Sequence, residues 1–509
     1  MQFRKRSAAG PPAPESVTRM VRRAYIMASL EQYLALLINF AVLATVARLL
    51  TPGEIGEAVT GLAIAVVAFS TREFVTAEFL IQRHAVDREA VGTSLTLQVL
   101  CSAAVALGLG LASGLIAGFY GTPDLSFFLL LAAVAGFTEA VAQPVIAILR
   151  RNMSFGALAA IRTAVSLVNG LTTILLAVLG FGPISFAWGL LAGAMMLAGL
   201  SVMLSPVPTR EFFRPGLSRW REVLAFGAFK GAALVVERIQ EAVPQLILGR
   251  LTSMTAVALY NRSNALCGVP DRIIMSAFYS MAFPALANSI REGYDIEKTY
   301  LRVLAYLSVL YWPAAIMVCL LAPQIVRIVL GHQWEEAIPV VRILGLSAVF
   351  WAPAIVTGPL LLALGQNRDA FLASLVSRVF AASILCTASL YGVIAMALSQ
   401  FIALPVQTAV GFFFVRRHIP FSLRALVAAF APSAIVTAFA LAGPLALVIS
   451  NEQPQSDLLS FAAATILAAI GWLAGLHLTR HPFLAEIQIG LRLGRSRIER
   501  LRRLLAAGA

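Results

Sequence analysis

The residues of this sequence best placed for chemistry are charged side chains inside long apolar stretches. Arg72, Arg162, Arg272 and Arg378 are four of them, and Lys230 is a fifth cation. A guanidinium is permanently charged, and its planar fork meets two phosphate oxygens at once. The five cations therefore read as a vestibule for an anion, and the arginines suit a phosphate. Glu31, Glu139, Glu237, Glu241 and Asp271 stand in equally apolar surroundings. A carboxylate there can bind H+ or Na+ and couple transport to an ion gradient. Lys230, Glu237, Glu241 and Pro244 follow at helical spacing and share one face. Arg238 and Arg342 fall on other faces or near an interface. Each reading has a plainer competitor. The arginines can snorkel to headgroups. The acids can be ion-pair partners: Glu73 for Arg72, Asp271 for Arg272, and Glu237 or Glu241 for Lys230.

The surroundings decide the class. Hydrophobic residues make up 59% of the 509 and charged residues 13%, against roughly 25% charged in a soluble domain. Long runs carry no charge at all, among them 163–209, 379–415 and 425–451. About 20 such residues cross a bilayer as a helix. The expectation is an all-α polytopic membrane protein with about fourteen spans. They fall near 24–48, 55–81, 91–118, 125–149, 156–179, 183–205, 221–249, 254–285, 301–323, 336–364, 370–390, 392–415, 424–450 and 457–479.

With the N-terminus inside, most of the 39 basic residues lie on the cytoplasmic side. The opposite side keeps only Arg48, Arg250 and Arg327. That asymmetry puts both termini in the cytoplasm. It also assigns the net charge of +14 to contact with anionic inner-leaflet lipid, with no need of nucleic acid. The last residues, 481–509, alternate Ile487, Leu491, Ile498 and Leu501 with arginines and suit an amphipathic helix on that leaflet. Cys101, Cys267, Cys319 and Cys386 lack metal or redox spacing and read as packing residues. No cofactor or metal is expected.

The chain repeats itself. "VARLLTPGEIGEAVTGLAI" (46–64) matches "LGRLTSMTAVALYNRSNAL" (248–266), and "LRRNMSFGALAAIRTAV" (149–165) matches "LGQNRDAFLASLVSRVF" (364–380). An offset of six helices makes the repeat parallel, an arrangement used by transporters for alternating access. The organisation reads as a basic N-terminus (1–23), two pseudo-symmetric six-helix bundles (24–205 and 206–418), two added helices (419–480) and the tail.

These stretches, with "IVRIVLGHQWEEAIPVVRILGL" (325–346), resemble the polysaccharide-lipid flippases of the multidrug/oligosaccharidyl-lipid/polysaccharide (MOP) exporter superfamily. The resemblance covers roughly 20–420. It implies transfer of an undecaprenyl-diphosphate-linked oligosaccharide across the bacterial inner membrane for O-antigen, capsule or exopolysaccharide assembly. A polysaccharide polymerase and a chain-length regulator are the candidate protein partners. A drug or cation antiporter and a lipid II flippase of the same superfamily are the alternatives. A membrane glycan polymerase fits poorly, because the outward loops are short and no nucleophile elbow, HExxH or phosphate loop occurs.

Overall fold

The computed structural model describes residues 14–82, 88–205, 215–274, 292, 295–450 and 458–489, and no strand occurs among them. The basic tail beyond Ile489 lies outside the described residues. The chain divides into two compact units that join between Ala258 and Leu259.

The first unit contains α1 (Pro14–Leu49), α2 (Pro52–Ser70), α3 (Phe79–Gln82), α4 (Arg88–Tyr120), α5 (Asp124–Glu139), α6 (Gln143–Arg151), α7 (Phe155–Val178), α8 (Ile184–Met203) and α9 (Trp220–Leu251). In the sequence repeat α9 opens the second half, yet it packs on α2 and α4 of the first unit. α10 (Met254–Cys267) crosses the unit boundary. The second unit holds α11 (Ile296–Leu320), α12 (Ala322–Val329), α13 (Ala337–Ser347), α14 (Ala352–Ala363), α15 (Asn367–Ser389), α16 (Val393–Leu398), α17 (Gln400–Arg416), α18 (Leu423–Ser450) and α19 (Leu458–Leu478).

Ten helices among the described residues are long and apolar enough to cross a membrane. Two bent pairs, α5 with α6 and the α13 stretch with α14, bring the number to as many as twelve. The other two expected spans are α9, whose Lys230, Arg238, Glu222, Glu237 and Glu241 dilute its apolar run, and 254–285, which is described only to residue 274.

Local sequence sets the helix ends. α2 starts with a capping box: Thr51 Oγ1 accepts from Glu54 N at 3.3 Å, and Thr51 N donates to Glu54 Oε2 at 2.8 Å. Pro52 occupies the first turn, where its missing N–H costs nothing. Loss of such a cap costs about 1 kcal/mol. Pro144 and Pro353 likewise sit in the first turns of α6 and α14, the second limbs of the two bends. Inside the first unit, Leu125, Phe128 and Leu129 of α5 are buried against Ala58, Ala65 and Phe69 of α2. That packing fixes the two helices that carry the site.

Candidate functional site

The α-helical part of the second expected span stops at Ser70. Residues Thr71–Val75 form a 3-10 turn, and helix resumes at Phe79. Broken backbone at membrane depth survives only where protein groups meet the freed carbonyls. Here they do. Gln98 Nε2 on α4 donates to Val75 O at 2.7 Å. The Cys101 thiol, also on α4, lies 4.0 Å from Thr71 O. Residues of this turn also line a cavity of about 250 Å3 inside the first unit.

Arg72 is the centre of that turn. Its Nε donates to Phe69 O at 3.2 Å, at the end of α2. Its Nη1 donates to Gly136 O at 2.9 Å and its Nη2 to Glu139 Oε2 at 3.1 Å, both near the end of α5. The guanidinium carbon lies 4.8 Å from the centre of the Phe69 ring. The Arg72 side chain is 17% exposed and that of Glu139 27%, so both face the cavity while mostly covered. Sequence spacing offers Glu73 as the partner of Arg72. The structure instead pairs Arg72 with Glu139, 67 residues away, because the side chain of a 3-10 residue points across to α5. Glu73 also lines the cavity.

α9 closes the other wall. Gly227 and Gly231 form a G-x-x-x-G step, and a Cβ on Gly227 would collide with the Phe74 carbonyl. On Gly231 it would stand 2.8 Å from Phe74 N. Small residues at this spacing let two backbones approach closely. Further along α9, Arg238 lines the cavity and donates through Nη1 to Glu241 Oε2 at 2.8 Å. Helical spacing sets Arg238 away from the polar face, yet it reaches Glu241 on that face. Its i,i+3 step to Glu241 is the signal in the sequence that points there. The G-x-x-x-G step is a second signal, which charge-based reasoning misses.

The other expected residues divide by unit. Arg162 on α7 pairs with Glu31 on α1 at 3.6 Å, with Arg162 49% and Glu31 15% exposed. This couples one expected cation to one expected ion-coupling acid, outside the cavity lining. Glu237 is half-buried on α9. The Lys230 side chain lies outside the described residues. In the second unit, Asp271 is half-buried, while Arg272 beside it is exposed. Arg378 on α15 is half-buried and donates from Nε to Ser374 Oγ at 3.1 Å, one turn earlier. The four arginines thus stand in four different settings. Among the described residues no cluster of His, Cys, Asp or Glu is placed to hold a metal ion.

The arrangement defines a class: a multi-pass helical membrane protein whose covered cation and carboxylates face a cavity at a helix break. The fold is shared with solved carriers. It matches an inward closed lipid II flippase, MurJ, with a TM-score of 0.71 at 14% identity, over 91% of this chain and 99% of the other. An inward-facing multidrug resistance MATE transporter of the MOP superfamily matches with a TM-score of 0.58 at 15% identity, over 77% of this chain and 98% of the other. The chain belongs to the polysaccharide biosynthesis protein family, whose model matches residues 45–339. Similar curated proteins include the teichuronic acid biosynthesis protein TuaB of Bacillus subtilis, 21% identical over 55% of this chain and 58% of that protein. The succinoglycan biosynthesis transport protein ExoT of Rhizobium meliloti is 22% identical over 74% of this chain and 76% of that one. The match thus spans somewhat over half of TuaB.

Proposed function

We propose that this protein moves an undecaprenyl-diphosphate-linked oligosaccharide from the cytoplasmic to the periplasmic leaflet of a bacterial inner membrane, for assembly of a surface polysaccharide. Both termini face the cytoplasm, and alternating access of the two repeated bundles carries the step. The observation that carries this reading is Arg72. In a family of polysaccharide biosynthesis, a covered guanidinium faces a cavity at a broken helix. The lipid diphosphate of such a substrate is an anion that a guanidinium fork suits. It would compete with Glu139 for the Arg72 fork, and Arg238 would add a second cation to the same wall. Arg162, Arg272, Arg378 and Lys230 are the further phosphate candidates.

The named relatives that state an activity are transport proteins and flippases, which supports a carrier over an enzyme. H+ or Na+ drives the cycle through one or more of Glu31, Glu139, Glu237, Glu241 and Asp271, with no cofactor. Anionic lipid contacts the basic inner loops. A polymerase and a chain-length regulator receive the product.

The test is deletion of the gene in its host, with analysis of undecaprenyl-linked glycans and surface polymer. Loss of the polymer with build-up of the complete lipid-linked unit is expected. Unchanged glycans would overturn the reading, and altered drug susceptibility in the same strain would point to an antiporter.

A further inference from the structure

In an unbroken α-helix, Gly136 O would accept from Ala140 N. Ala140 N instead donates to Phe137 O at 3.1 Å. Gly136 O accepts from Arg72 Nη1 at 2.9 Å. The guanidinium is therefore the cap of α5, and its second arm holds Glu139, the last residue of that helix. A few residues later α6 departs at 41°. The Nε of the same side chain holds Phe69 O at the end of α2. One cation thus ties two helix ends at the point where the fourth span bends.

We propose that Arg72 is an anion-releasable clamp on the bend between α5 and α6. An anion of the diphosphate class that takes the guanidinium from Glu139 and Gly136 O uncaps α5 and loosens the bend. This rests on Arg72 as a phosphate ligand and adds how binding reaches the helix. Carboxylate and phosphate use the same paired N–H groups, so they compete for one fork. The diphosphate brings more charge. The freed Gly136 carbonyl then lacks its donor in apolar surroundings, which weakens the last turn of α5. The cavity of about 250 Å3 in front of Arg72 gives such a ligand access. A helix end with two bonding arrangements is a two-state element that a ligand can bias.

The test uses the full-length protein in lipid nanodiscs. Amide hydrogen exchange is followed over residues 137–146, with inorganic pyrophosphate and with chloride at equal ionic strength. Pyrophosphate is expected to raise exchange there about tenfold in the wild type, the size of one lost hydrogen bond to a charged donor. Arg72→Gln is expected to show the raised level without pyrophosphate and no further response. Glu139→Gln removes the competing carboxylate and leaves Gly136 O capped, so its response is expected at lower pyrophosphate concentration. This second variant keeps the test open if Arg72→Gln does not fold. Wild-type exchange that ignores pyrophosphate overturns the clamp, as does an equal response in Arg72→Gln. Glycan translocation is scored separately in the deletion strain. A chain with the exchange response but no translocation keeps the clamp and loses the glycan reading. A chain that translocates glycan without the exchange response keeps the glycan reading and loses the clamp.

Discussion

The bend between α5 and α6 measures 41°, and its counterpart in the second unit, between the α13 stretch and α14, measures 42°. The bonds that hold them differ. In the first unit a charged donor, Arg72, takes the loose carbonyl of Gly136 and pairs with Glu139. In the second, neutral donors do the same work. Trp312 Nε1 donates to Val349 O at 3.0 Å, and Thr408 Oγ1 donates to Phe350 O at 2.6 Å. Both bends lie beside a helix carrying an Arg and an acid as neighbours, but in opposite order: Arg72-Glu73 and Asp271-Arg272. The first unit turns the arginine to the bend. The second half-buries the aspartate and leaves Arg272 exposed. Freed carbonyls at membrane depth need donors in either case. A neutral donor is not drawn off by an anion, whereas a guanidinium is. Equal bends therefore need not be equally addressable by a charged ligand.

Substitutions can break this comparison. The largest effect is expected from Gly227→Leu. Its side chain would meet the Phe74 backbone and push α9 off the 3-10 turn that carries Arg72. A loss of about 3 kcal/mol or more is expected from such overpacking, read as a collapsed melting temperature in detergent. A wild-type melt would show that this approach is not tight. Next comes Arg72→Lys. An ammonium cannot span Phe69 O, Gly136 O and Glu139 together. Surface polysaccharide in a complemented deletion strain should fall at least tenfold at equal protein level, and normal export would count against the ionic clamp.

The neutral bend supplies the contrast. Trp312→Phe and Thr408→Val each strip one donor from a carbonyl, which should cost about 1–2 kcal/mol of stability and leave export near normal. If either abolishes export as Arg72→Lys does, the two bends are alike in function.

The smallest effect concerns His481, after α19. Its Nδ1 accepts from Phe483 N at 3.2 Å, so Nε2 carries the proton toward Ser433 Oγ, also at 3.2 Å. Burial holds this imidazole below its ordinary value. As pH falls below about 6.5, the unfolded chain therefore takes up a proton that the folded chain resists. Its stabilising contribution is complete above that pH and declines as pH drops toward the folded value. Melts at pH 7.5 and 5.5 should show a pH penalty that shrinks in His481→Asn. Equal pH dependence in both proteins would remove His481 as the cause.

Much of this is legible without coordinates. Charge-free runs place the spans. α7, α8, α18 and α19 begin and end within two residues of expectation, because a bilayer demands about twenty apolar residues wherever they occur. The same logic singles out Arg72 and Glu139, since charge is rare in such runs. Their union is not legible. It depends on α2 yielding to a 3-10 turn at Thr71, and that stretch has no proline or glycine to announce the break. Gln98 is invisible for the same reason: one amide on an apolar helix acquires meaning only when Val75 O is found in front of it.

The sequence by itself thus determined the helical class, the rough limits of most spans, and the small set of charged side chains inside them. These follow from local composition measured against a membrane of fixed thickness. Tertiary structure alone decided which charges are partners, where helices break, and which arginine guards a cavity. Those outcomes depend on residues tens of positions apart meeting across packed helices. There each unmet carbonyl must find whatever donor the neighbouring backbone and side chains place within reach.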